Sequence, residues 1–245
     1  ENCFSQILSM VPGMYTEDFD DLDTDGTFAL EGKVKGKYNE NSLPAFNVHL
    51  GVENGHFAYP DLPDDVKEIN FDLKVDCPDG DLNKLAINMP SFHALFGPHP
   101  IDARCVLGGL MTENYNIDAS AKANLDLAEV LKIFPMEGYE LKGDFVLDGT
   151  AKGVYNEKTG ALPAVNAKME LKDGYFKTPD FPSAISNMTL LADASVDPAN
   201  LAAGKLEVTK FEGDIDGDPL AATLTVQDFD AINYDLHAHG KLSLD

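Results

Sequence analysis

Apolar and polar residues alternate with a period of two along most of this chain, the signature of strands with one greasy and one wet face. In TFALEGKVKGKY (27–38), Phe28, Leu30, Val34 and Tyr38 fall on one side, and Glu31, Lys33, Lys35 and Lys37 on the other. AFNVHLGV sets Phe46, Val48, Leu50 and Val52 against Asn47 and His49. INFDLKVDC sets Ile69, Phe71, Leu73, Val75 and Cys77 against Asn70, Asp72, Lys74 and Asp76. Further strands are expected at 84–89, 91–96, 101–107 and 115–125, with turns at Glu-Asn-Gly (53–55) and Pro-Asp-Gly (78–80).

The pattern repeats. FALEGKVKGKYNE (28–40) returns as FVLDGTAKGVYNE (145–157), 117 positions on. After a two-residue insertion the spacing is 119. LPAFN (43–47) then matches LPAVN (162–166), and NGHFAYPDLP (54–63) matches DGYFKTPDFP (173–182). NYNIDASAKANLD (114–126) matches NYDLHAHGKLSLD (233–245). A spacing held over so many residues indicates internal duplication.

Between the copies, DLAEVLKIFP (126–135) reads as a helix, with Asp126 as N-cap, apolar Leu127, Val130, Leu131 and Phe134, and Pro135 as stop. NCFSQILSMVP (2–12) has the same helix-then-proline character. The expected organisation is a closing helix of a preceding repeat (1–12), a first β repeat (13–125), a linking helix (126–135) and a second β repeat (136–245). These seams suggest a piece of a longer array.

The fold class expected is mostly β: two tandem antiparallel repeats forming a curved, amphipathic sheet with short helices at the seams. The apolar face must be covered. It can pack on a second sheet, close into a barrel, or form an open trough, and the alternation is the same in all three. Gly32, Gly36, Gly149, Gly153 and Gly240 within strands permit sharp bending.

With 42 acidic and 18 basic residues the formal charge is −24. Such a surface repels phosphate backbones, so no nucleic-acid partner is expected. Three cysteines, at 3, 77 and 105, are no disulfide framework. Cys77 and Cys105 lie at alternating apolar positions and are replaced by Val196 and Leu224 in the second copy, as buried structural cysteines would be.

Candidate chemistry is sparse. DLDTDGTFALEG (21–32) approaches a calcium loop through Asp21, Asp23, Asp25 and Gly26, but Gly32 stands where the twelfth-position acid is required. It reads as an acidic turn before a strand, and DIDGDP (214–219) as a hairpin turn. His237 and His239 match Asp118 and Ser120 of the first copy and read as exposed polar positions, with no third His or Cys nearby. The chain carries no G-x-S-x-G, phosphate loop, C-x-x-C or H-E-x-x-H. No enzymatic activity, metal or cofactor is expected.

Two stretches, TDGTFALEGKVKGKYNE…LPAFNVHLGVENGHFAYPDLPDDVKEINFDLKVDCPDG and LDLAEVLKIFPMEGYELKGDFVLDGTAKG, resemble the AsmA family (AsmA/TamB-like envelope proteins of Gram-negative bacteria). The likeness rests on the L-x-G-x-x-K-G phrase, the P-D-L-P turn and the L-D-L seam before an apolar helix and proline. The resemblance implies a periplasmic protein, its parent anchored in the inner membrane by an N-terminal helix. It implies a part in outer-membrane assembly, by phospholipid transport along an apolar β groove. Partners would be phospholipid acyl chains and envelope proteins.

The groove residues expected are Phe28, Leu30, Val34, Phe46, Val48, Leu50, Phe71 and Leu73, then Phe145, Leu147, Val165, Met169 and Leu190. The same pattern also suits a structural or protein-interaction β module in the envelope, with closed cores and no lipid.

Overall fold

The structure, a computed structural model, describes residues 23–38, 43–58, 65–133 and 136–241. The fold is mostly β: among the described residues, twelve antiparallel strands lie in one open sheet, ordered as they occur in the sequence. They are β1 (Asp23–Lys35), β2 (Ala45–Ala58), β3 (Val66–Cys77), β4 (Ala86–Phe96), β5 (His99–Gly108), β6 (Tyr115–Asp126), β7 (Glu140–Tyr155), β8 (Ala164–Thr178), β9 (Phe181–Val196), β10 (Lys205–Ile215), β11 (Asp218–Gln227) and β12 (Asn233–Gly240).

The chain divides into two compact units, 1–120 with 152–161 and 121–151 with 162–245.

In the first unit, Leu30 stands opposite Leu50, Phe28 opposite Val52, and Val34 opposite Phe46. Leu50 then faces Leu73, Val52 faces Phe71, and Phe46 faces Cys77. Phe71 faces Phe92, with ring centroids 6.2 Å apart. Because paired residues share a face, apolar rows run across the strands. Each aromatic or branched cross-strand pair contributes roughly 0.2–1 kcal/mol.

β4 departs from the expected pair of strands at 84–89 and 91–96. It is one strand, with a register shift between Met89 and Phe92 that absorbs Pro90, a residue with no N–H to give the ladder. The acidic stretch before β1 also differs from expectation. Asp25 and Gly26 lie inside the strand at a bulge, with the Gly26 N–H donating to Asp25 Oδ1 at 2.7 Å. A second bulge lies between Val52 and Gly55. There the Asn54 N–H, at φ 50°, donates to Asn70 Oδ1 (2.9 Å), while Asn70 Nδ2 donates to Glu68 O (2.6 Å). One amide thus holds two left-handed residues.

The 152–161 segment ends in a tight turn around buried Asn156. Its backbone pairs with Ala161, its Nδ2 donates to Asn114 Oδ1 (2.7 Å), and its Oδ1 accepts from the Thr159 N–H (3.0 Å). This buried amide is satisfied, as buried polar groups must be.

β7, whose residues 140–151 belong to the second unit, alternates half-buried and exposed positions without a break over sixteen residues. Leu171 faces Leu190, Met169 faces Ala192, and Val165 faces Val196. Phe211 and Val208 continue the first two rows. DIDGDP is the expected hairpin turn: Asp216 and Gly217, at φ 52° and 86°, join β10 to β11 as a two-residue loop.

Helix α1 (Leu127–Ile133) follows β6, and Asp126 Oδ1 accepts the Ala128 N–H at 2.8 Å, the N-cap bond read from the sequence. Phe134, Pro135 and the 2–12 stretch lie outside the described residues.

Candidate functional site

The face carrying the apolar rows is where the expected groove residues fall. In the first unit, Phe28 is buried, and Phe46, Val48, Leu50, Phe71 and Leu73 are half-buried. Leu30 is 48% exposed and Val34 68%. In the second unit, Phe145, Leu147, Val165, Met169 and Leu190 are all half-buried. The register brings Leu30, Leu50 and Leu73 into one row, and Phe28, Val52 and Phe71 into another. Leu190 lies between Leu171 and Phe211.

Among the described residues, the buried hydrophobic side chains are Phe28, Val66, Cys77, Ala94, Leu171 and Ala192, and of these Phe28 and Leu171 keep 8% exposure. Six such residues are far fewer than two closed cores of this length would hold. Within each unit, therefore, the apolar rows are partly covered by their neighbours along the sheet and partly open.

Sequence reasoning missed several members of these rows. Phe92 and Ile87 lie on β4, opposite Phe71 and Val75, and Leu107 faces Ile87 from β5. Phe211, Val208 and Leu224 do the same in the second unit. Their alternation is visible in the sequence, but the bulge at Met89/Phe92 reverses its phase halfway along the strand. Cys77 is fully buried and Cys105 half-buried, both as free thiols. His237 and His239 lie on β12, which is exposed throughout, and His237 Nε2 is 3.1 Å from Asp235.

The opposite face is charged and internally paired. His49 Nε2 lies 2.5 Å from Asp72 Oδ2, and Lys74 Nζ is 3.3 Å from the other Asp72 oxygen. The His49 contact, then Lys74, holds the Asp72 carboxyl below its ordinary value of 3.8. Asp118 sits between Lys152 (2.8 Å) and Arg104 (2.6 Å), which hold it down likewise, Lys152 contributing most. At Asp65 burial pushes the carboxyl up, but hydrogen bonds from Lys67 and His56 outweigh it and the net shift is downward. A depression of about 350 Å³ on this face of the second unit is lined by Asp148, Lys168, Asp193, Lys205 and Glu207. Its lysines also have carboxylate partners: Lys205–Glu207 is 2.6 Å and Lys168–Asp193 is 4.0 Å.

A pH dependence follows from these shifts. Carboxyls held down in the folded state contribute stability that is present above their unfolded value of 3.8. That contribution is lost as pH falls through the folded value. Urea unfolding at descending pH is expected to show the loss below 3.8. The variants Asp72→Asn and Asp118→Asn should have a shallower acid slope than the parent chain. The comparison cancels the opposing relief of repulsion when the other carboxylates are neutralised.

The fold and this face define a one-sheet, mostly β protein with an amphipathic surface. No family model, no curated protein and no solved structure matches the chain. Among the described residues no helix is long and apolar enough to cross a membrane.

Proposed function

We propose that this chain is a non-enzymatic segment of an AsmA-like periplasmic protein that serves outer-membrane assembly by carrying phospholipid along its apolar β face. The observation that carries the reading is the set of half-open apolar rows in each unit. Acyl chains are the natural complement of such a floor. Each methylene that leaves water gains about 0.8 kcal/mol, and a chain sliding along a row keeps that gain. A strand of seven residues spans roughly 23 Å, comparable to an acyl chain. The headgroup stays at the wet margin. On this reading the parent protein is held in the inner membrane by an N-terminal helix.

The reading includes a tandem duplication, and backbone detail supports it beyond the sequence match. The row Val52, Phe71, Phe92, Ala103 reappears as Leu171, Leu190, Phe211, Ala222, each 119 residues on and in the same pairing. Positive φ values recur at the same spacing: Asn54 and Asp173, Glu68 and Asn187, Gly97 and Asp216, Gly109 and Asp228. Short 3-10 turns at Leu82–Lys84 and Leu201–Ala203 do so too. A duplicated unit lengthens a conduit without new chemistry, and α1 marks the seam.

The test is native mass spectrometry of the chain purified from a Gram-negative periplasm, followed by lipid extraction. Phospholipid bound at a defined stoichiometry is the expected result. A lipid-free particle that takes up no phospholipid from vesicles would overturn the conduit and leave a structural module.

A further inference from the structure

We propose that His237, His239 and Glu212, on the polar face of the second unit, form a binding site for a divalent transition-metal ion of the zinc, nickel and copper class. Neither lipid binding nor the duplication is needed for it.

Successive side chains of a strand alternate between its two faces, so residues two apart stand on the same one. His237 and His239 therefore share a face of β12, and Leu236 and Ala238 take the other. The third donor, which the sequence around the pair lacks, comes from register. His239 stands opposite Ala221 on β11, and Ala221 stands opposite Glu212 on β10. His237 stands opposite Thr223. The row Glu212, Ala221, His239 thus sets a carboxylate and an imidazole on either side of a single methyl group. The small middle residue leaves a depression of about 270 Å³, whose lining includes Thr209, Glu212, Ala221, Thr223, His237 and His239.

The donor set selects the ion. Imidazole nitrogen suits Zn²⁺, Ni²⁺ and Cu²⁺, whereas Mg²⁺ and Ca²⁺ take oxygen ligands. Two imidazoles and one carboxylate leave a coordination position to water. Neighbouring charges hold the donors in place. His237 Nε2 lies 3.1 Å from Asp235 Oδ1. Ligating histidines commonly give their second ring nitrogen to a carboxylate in this way, which orients the ring and makes the other nitrogen, here Nδ1, the ligand. Lys210 Nζ lies 3.0 Å from Glu212 Oε2 and steadies that side chain. Both imidazoles are exposed, so each turns toward an ion without displacing a neighbour. His49, His56 and His93 differ, since each meets a carboxylate rather than a second imidazole.

The site uses a face of the sheet and not an edge. His93 sits on β4 with a strand on either side and still keeps 34% of its side-chain surface. A further strand beside β12 would border the two imidazoles without covering them.

Isothermal titration with zinc chloride tests the assignment, on a chain carrying Cys3→Ser and Cys105→Leu to remove competing thiols. Cys77 has no exposed surface and stays. One Zn²⁺ per chain is expected, with no heat from magnesium chloride. His237→Gln and His239→Gln should each weaken Zn²⁺ binding at least about tenfold, and Glu212→Gln about tenfold. All three side chains are exposed, so the changes leave the fold in place. With Cu²⁺ as the probe, electron paramagnetic resonance should show splitting from two nitrogens, reduced to one in either histidine variant. Absence of Zn²⁺ binding overturns the proposal, as does binding that the double histidine variant leaves undiminished. Phospholipid content is measured on metal-free protein, so failure here leaves the conduit reading to its own test.

Discussion

Leu50→Asp or Leu73→Asp is expected to strip co-purifying phospholipid from the chain while leaving it folded. The two leucines face each other across β2 and β3, both half-buried, in the row that includes Leu30. A carboxylate in an acyl-chain environment costs roughly 3 kcal/mol, about a hundredfold in affinity. The loss to the fold is smaller. A half-open leucine gives up about 1–2 kcal/mol when its contacts go, and Tm falls by a few degrees. Asn166→Asp on the charged side of β8 is the control, since it adds the same charge without touching the rows. Lipid retained by Asn166→Asp and lost by either leucine variant supports the conduit. Equal loss from all three points to charge alone, and retention by all three removes the apolar rows from function.

The second large effect is structural. Gly80, in the Pro-Asp-Gly turn after β3, has φ 78°, and a Cβ placed there would lie 1.9 Å from the Leu43 carbonyl oxygen. That atom belongs to backbone and cannot rotate away. Gly80→Ala is therefore expected to cost about 2–5 kcal/mol, backbone strain and overpacking together. Gly217 separates the two contributions. It also has positive φ, 86°, but a Cβ there meets nothing within 4 Å. Gly217→Ala should cost only about 1 kcal/mol, the left-handed conformation alone. Chemical denaturation of both variants reads the difference, and equal costs would show that the Leu43 contact yields easily.

The repeat match set FVLDGTAKGVYNE in phase with the alternating FALEGKVKGKYNE, and the side chains of β7 follow that alternation residue by residue, so that strand was legible in the sequence. Asp126 announced its own capping bond for a similar reason: a cap acts over two or three residues. What escaped sequence reading depends on partners. Pro90 suggested a break between two strands, whereas the ladder absorbs it as a bulge because β3 and β5 hold both sides in place. Asp25 and Gly26 suggested a turn, and only the approach of Gly55 on β2 explains why a strand keeps a left-handed glycine there. The apolar rows were half visible. Phe71 and Leu73 stood out, but Phe92 and Phe211 become members only when register is known. Whether the rows were open or closed was undetermined by alternation, because it depends on what lies over a face.

The strand order has a kinetic meaning. Each strand's neighbours in the sheet are its neighbours in the chain, from β1 to β12. Among the described strands no pairing needs a distant segment, so each loop closed between them during folding is short and its entropic cost small. A polypeptide emerging N-terminus first can therefore add one finished hairpin at a time. Each new strand finds its template already in place, and an aggregation-prone edge is exposed only until the next strand arrives.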